Sequence, residues 1–201
     1  MLNLIRRDLI LQKKLILTFI PFIGFFIFMD SHPVLIFLVA SIFIPFNASA
    51  YDEKTEVNIL LNSLPYTRKE IIAARYVGAL LFMMFSIGIS SLALYALNKP
   101  FTLTDVAIGG GSFLVFAALT FPLFYLFKPG HITTVIIFGF VFLTAFTPFI
   151  LRVLAKHSPA IIEFISNLSN EMLYTGATLL ILLIYSISWG FTTVVYQRKA
   201  F

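Results

Sequence analysis

Side chains able to do covalent or metal chemistry are few and far apart in this chain. Cysteine is absent, which excludes a thiolate nucleophile, thiolate zinc sites, iron–sulfur clusters and a disulfide scaffold. The three histidines, His32, His131 and His157, fall at the edges of different apolar stretches and do not read as one metal site. No GxxxxGK[ST] loop is present to cradle a nucleotide, and neither HExxH nor GxSxG occurs. The expectation is a chain with no catalytic, metal or cofactor residues of its own. What its polar residues can do is noncovalent. Asp52-Glu53-Lys54-Thr55-Glu56 is an acidic run suited to a helix N-terminus, and Val57, Leu60, Leu61 and Leu64 follow at i, i+3, i+4 and i+7. Pro65 stops that helix. Thr67-Arg68-Lys69-Glu70 then reads as a fresh start, with Thr67 as N-cap and Glu70 completing a capping box, leading through Ile71 to Arg75. The residues alone leave this segment as a docking element or as a solvated connector.

The elements around that segment are set by composition. Of 201 residues, 60% are hydrophobic and only 11% charged, with 24 Phe. The mean hydropathy is +0.98. A soluble domain is nearer half apolar and one quarter charged, so a soluble enzyme or DNA-binding protein is excluded. About 20 residues cross the hydrocarbon core as a helix. Charged residues and histidines fence off six candidate spans, at about 15–30, 33–51, 76–98, 106–127, 132–151 and 172–197. Asp30-Ser31-His32-Pro33 offers no small-residue cleavage site, so the first span is expected to stay. The predicted fold is all-α and integral to the membrane, a single domain over 1–201.

Basic residues set the orientation. With the N-terminus cytoplasmic, eleven lie inside (Arg6, Arg7, Lys13, Lys14, Lys54, Arg68, Lys69, Arg75, Lys128, Arg198, Lys199) against three outside (Lys99, Arg152, Lys156). The positive-inside rule then puts both termini and the 52–75 loop in the cytoplasm. Residues 1–14 place Arg6 and Arg7 opposite Leu2, Leu4, Ile5, Leu9 and Leu11, the pattern of a helix lying in the membrane interface. Asp8 falls on the apolar arc. It is either a carboxylate placed near a helix N-terminus or a partner for a basic residue such as Arg68 or Arg75. Pro148 and Pro159 suggest that the fifth span ends early and that the outer loop 152–171, with Ile161, Ile162, Phe164, Ile165 and Leu168, folds back. Gly109-Gly110-Gly111-Ser112 and the Ala74/Gly78 and Ser86/Ser90 pairs read as close-packing positions. Between the charges that fence them, the spans hold no Asp, Glu, Lys or Arg, which argues against a proton-coupled transporter.

The run Ile59-Leu60-Leu61-Asn62-Ser63-Leu64-Pro65-Tyr66-Thr67-Arg68-Lys69-Glu70, continuing to Arg75-Tyr76, together with Leu2-Asn3-Leu4-Ile5-Arg6-Arg7-Asp8, resembles ABC-2 type permeases of bacterial ABC exporters. The likeness is to the branch of phenol-soluble modulin, bacitracin-resistance and lantibiotic-immunity permeases. The tail, Gln197 to Phe201, lacks their frequent Arg-Asp-Phe ending. The resemblance implies a six-span subunit of the cytoplasmic membrane without enzymatic activity. It implies that residues 52–65 are the coupling helix, meeting a separately encoded ATPase, two copies per complex, through Asp52, Glu53, Glu56, Asn58, Asn62, Ser63, Leu64 and Pro65. ATP and Mg would be bound by that partner. A second permease copy or a related one, and export of cytolytic or antimicrobial peptides or similar hydrophobic cargo, are implied too. No nucleic acid partner is expected. The alternatives are a secondary transporter or channel, or a membrane anchor.

Overall fold

The computed structural model describes residues 2–11, 13–52, 66–127, 132–157 and 167–198. Its elements are seven helices: α1 (Leu2–Leu11), α2 (Lys13–Phe28), α3 (Pro33–Asp52), α4 (Arg68–Ala96), α5 (Leu103–Leu126), α6 (Ile132–His157) and α7 (Asn170–Arg198), with no strand among the described residues. Three helices, α4, α5 and α7, are long and apolar enough to cross a membrane, while the apolar stretches of α2, α3 and α6 are shorter. The acidic and leucine-rich segment 53–65 lies outside the described residues, as do Lys128 and residues 158–166.

Charges mark the limits of apolar stretches, and helices start elsewhere. The third apolar stretch opens at Tyr76, but its helix α4 begins at Arg68 on the Thr67 cap, as the capping box read from the sequence implies. Thr67 is extended, its hydroxyl accepts from the Glu70 amide, and the Glu70 carboxylate accepts from the Thr67 amide at 2.8 Å. The polar turn thereby launches one continuous helix into the apolar region. Thr102 and Asp105 do the same for α5. Helix α6 continues through Pro148 to His157, so the chain does not break at that proline, while the apolar stretch it carries is Thr134–Phe146.

At the end of the bundle carrying Asp30 and Asn98, here the turn end, α2 and α4 stop in the same way. Asp30 and Asn98 hold φ of 51° and 53°. Ser31 N donates to Phe26 O and Asp30 N to Ile27 O; Lys99 N donates to Leu94 O and Asn98 N to Tyr95 O. Both sets are Schellman closures around a left-handed residue. An ion pair from Lys99 to Asp30 joins the two turns.

Helix α5 sits centrally, touching α3, α4, α6 and α7. Its three consecutive glycines face three neighbours, because a helix turns about 100° per residue. A Cβ on Gly109 would meet Phe37 Cβ of α3 at 2.6 Å, one on Gly110 would meet Ile87 of α4 at 3.4 Å, and one on Gly111 would meet Ile181 of α7 at 3.2 Å. Gly139 similarly seats α6 on Thr120 of α5. These are the close approaches that small residues permit in membrane helices. Around them, Phe46 packs on Phe116, Phe121 and Phe124, while Phe19, Ile27, Phe37 and Ile44 fill a second core.

Helix α7 is inside out by the standards of a water-soluble helix. Its buried residues are Tyr185, Ser188, Thr192 and Tyr196, and Leu179, Leu180, Leu183 and Ile187 are exposed. Polar groups turned inward and leucines outward is the arrangement expected where the surroundings are lipid.

Candidate functional site

The described structure resumes after the 53–65 segment at Tyr66, and the first residues beyond it tie three helices together. Arg68 opens α4 and reaches the far end of the chain. Its Nη1 donates to Gln197 O at 2.9 Å and to Tyr196 O at 3.5 Å. These carbonyls end α7, where a guanidinium satisfies acceptors that have no helical donor.

Two turns deeper, Tyr76 is fully buried. Its hydroxyl lies 2.8 Å from Ser188 Oγ and 2.7 Å from Thr192 Oγ1. The ring stacks on Trp189 and meets Phe121 and Tyr185 edge-on. Tyr185 donates from its hydroxyl to the Tyr76 carbonyl at 3.0 Å. Ser188 in turn donates to Ala118 O of α5 at 2.6 Å. That carbonyl would ordinarily accept from the amide four residues on, but residue 122 is proline and has no N–H. A hydroxyl from α7 fills the place.

Counting protons orders this cluster. Each hydroxyl donates once. Ser188 is committed to Ala118 O, so Tyr76 donates to Ser188. Thr192 can return to its own helix at Ser188 O, 2.8 Å away, or donate to the Tyr76 oxygen. The second choice gives a directed chain, Thr192 to Tyr76 to Ser188 to Ala118, crossing from α7 to α4, back to α7 and on to α5. Successive hydrogen bonds of this kind polarise and strengthen one another in a low-dielectric interior.

Beside it, Arg75 of α4 donates to Ser49 Oγ of α3 at 3.2 Å, and Ser49 donates to Pro45 O at 3.0 Å. Asp8 on α1 accepts from Arg7 Nε and Nη2 at 3.0 and 2.7 Å. Asp8 and Arg75 line one small cavity with Pro45, Ala74, Gly78 and Phe82. Arg6 and Lys69 are exposed.

Of the residues singled out in the sequence, Thr67, Arg68, Glu70 and Arg75 thus lie at the start of α4, and Arg7 and Asp8 beside it. Asp52 is the last residue of α3. Glu53, Glu56, Asn58, Asn62, Ser63, Leu64 and Pro65 lie outside the described residues. The joint of Tyr76, Tyr185, Ser188 and Thr192 was not anticipated. Two signals pointed to it: polar residues of α7 recurring at three and four, and a proline in α5 whose orphaned carbonyl demanded a donor from elsewhere.

Toward the turn end a cleft of about 840 Å³ opens among α5, α6 and α7, within the usual range for small-molecule sites. Its walls include Ile108, Val115, Phe140, Pro148, Tyr174 and Ile181, with no charged side chain. Thr144 and Thr178 of its lining donate back to Phe140 O and Tyr174 O of their own helices. The surface offered to an occupant is therefore largely apolar. Among the described residues no group of three or more His, Asp or Glu could hold a metal ion.

Comparison with known proteins places this architecture. A family model described as ABC-2 family transporter protein matches residues 3–197. No curated protein and no solved structure matches. The family match runs from α1 to α7 and takes in both the joint and the cleft, so the chain belongs to the ABC-2 family, as the membrane component of a transporter.

Proposed function

We propose that this chain is the permease subunit of an ABC exporter, crossing the cytoplasmic membrane six times with both termini inside. The observation that carries the reading is the family match over nearly the whole chain, in a sequence that holds no GxxxxGK[ST] phosphate loop. A transporter of this family without its own nucleotide site draws on a separate ATPase. Residues 52–65 are the segment suited to meet it. Glu53 and Glu56 can accept hydrogen bonds from basic groups of a groove, Asn58, Asn62 and Ser63 can pair with exposed backbone, and Pro65 fixes the angle at which the segment leaves. Two ATPase copies and two permeases, identical or related, complete the assembly, with ATP and Mg held by the ATPases. Amphipathic peptides, cytolytic or antimicrobial, or similar hydrophobic molecules suit the charge-free cleft better than sugars or ions do.

The test is co-purification of an ATPase with the full chain, followed by reconstitution. Glu53→Lys with Glu56→Lys is expected to weaken ATPase binding far more than Lys128→Glu. Pro65→Gly is expected to leave binding intact and to lower transport per ATP hydrolysed. A fluorescent amphipathic helical peptide built of leucine and lysine serves as the transport probe. Normal association and transport in the double reversal would reduce residues 52–65 to a connector. Labelling of residues 52–70 from outside intact cells would overturn the orientation.

A further inference from the structure

We infer that Tyr76 is a positioning residue for transport, fastening α7 to α4 so that a displacement of the 52–65 segment moves both helices as one body. The inference rests on the exporter reading for its input and on the geometry for its path. Helix α4 is continuous from Arg68 onward, so what moves Tyr66 and Thr67 moves the whole helix. At its first turn Arg68 grips the closing carbonyls of α7. Two turns on, the Tyr76 hydroxyl bridges Ser188 and Thr192, and Tyr185 returns a bond to the Tyr76 backbone. The grips lie on the same pair of helices about 12 Å apart along the axis, at 1.5 Å per residue. Two attachments at that spacing fix a crossing angle, where one would leave a pivot.

The third member is looser. Helix α5 joins through the carbonyl released at Pro122, the position where a helix lacks one of its own bonds and bends most readily. Beyond the joint, α7 loses its neighbours. From Asn170 to Leu180 each residue is exposed among the described residues, including Leu173 and Tyr174, which wall the cleft. A tilt imposed at Tyr76 therefore reaches one wall of the cleft through α7, while α5 and α6 supply the others.

The absence of cysteine makes the test direct. Leu92→Cys with Met172→Cys, both exposed and far from the Arg68 grip, gives one spin-label pair per chain across α4 and α7, read in the reconstituted full chain diluted with unlabelled chain so that only distances within a chain are seen. A single narrow distance distribution is expected, and Tyr76→Phe, which keeps the ring packing and removes the bridging hydroxyl, is expected to broaden it. In the complex with its co-purified ATPase, Tyr76→Phe should keep assembly and basal hydrolysis nearly unchanged. Leucine–lysine probe peptide moved per ATP should fall about threefold or more, the scale of one interhelical hydrogen bond in a membrane. Thr192→Val should act in the same direction, and Thr192→Ser should restore the wild-type ratio. An unbroadened distribution in Tyr76→Phe overturns the fastening, whether or not any ATPase is bound. A broadened distribution with an unchanged transport ratio, or a fall in assembly and hydrolysis that matches the fall in transport, overturns the positioning role. Failure of any ATPase to co-purify overturns the exporter reading and with it the transport role, and the label distances still decide the fastening.

Discussion

Ser188 on α7 gives its hydroxyl proton to the Ala118 carbonyl of α5 at 2.6 Å, the acceptor that Pro122 leaves without a helical donor. The proline and the serine are two halves of one interaction on different helices. Ser188→Ala is therefore expected to lower stability by about 1–2 kcal/mol, since it strands a buried acceptor and removes a bond to Tyr76. Pro122→Ala returns an amide to position 122. In that background Ser188→Ala should cost no more than half as much. A double-mutant cycle in detergent or nanodisc unfolding reads the difference, and additive costs would show that the two positions are independent.

The glycines of α5 and α7 are expected to answer differently to the same substitution. A Cβ on Gly109 meets the Cβ of Phe37 and the Val34 carbonyl at 2.6 and 3.1 Å, neither of which can swing aside. Gly109→Ala should cost about 1–3 kcal/mol. At Gly176 and Gly190 nothing lies within 4 Å. Alanine there should be neutral or should stabilise by about 0.5–1 kcal/mol through helix propensity. Thermal midpoints of the three variants, compared side by side, check the ranking.

The paired turns at Asp30 and Asn98 separate backbone strain from charge. Asn98 at φ 53° should accept glycine without loss, while Asn98→Ala should cost about 1–2 kcal/mol. Asp30→Asn keeps a residue tolerant of that conformation and removes only the ion pair with Lys99. Both partners are well exposed, at 75% and 42%, so the change should stay below about 1 kcal/mol. Unfolding at low and high salt tells the two apart, because only the Asp30 effect is screened.

Asp8 should matter more than Asp30. Its side chain is only 14% exposed and accepts two bonds from Arg7, in a cavity wall that Arg75 shares. Asp8→Asn is expected to cost about 2 kcal/mol, in the range of bonds to charged groups, and to expose α1 to proteolysis. Equal midpoints for Asp8→Asn and Asp30→Asn would show that α1 is held by Leu4 and Ile5 packing alone.

Composition and fences of charge made the helical, membrane-embedded class legible. They located the apolar stretches well but not the helix starts, which came from cap chemistry: the Thr67 and Glu70 box that opens α4 was legible in the sequence, and the Thr102 and Asp105 box that opens α5 was not read there. Gly109, Gly110 and Gly111 were legible as packing positions, but their division among three neighbours depends on where α5 sits in the bundle. Tyr76 was visible as the edge of a span and the end of the run that carries the resemblance, with no partner assigned. Its partners Ser188 and Thr192 lie more than a hundred residues away, and a pairing at that distance has no local periodicity to betray it. The small cavity shared by Asp8 and Arg75 is likewise a product of α1 folding against α4.

The inverted polarity of α7 changes what counts as a mild substitution. A hydropathy scale ranks Tyr→Phe, Ser→Ala, Thr→Val and Gly→Ala among the gentlest exchanges in a membrane helix, and each would ease insertion into lipid. Tyr76, Ser188, Thr192 and Gly109 are where those exchanges do harm, because inward contacts alone tell one helix from another when oil surrounds them all. Leucine for isoleucine or phenylalanine on the outer face of α7 alters a surface that no described helix of this chain covers. Sequence drift in this chain should therefore run freely through its most hydrophobic letters and stall at a handful of small and hydroxylated ones.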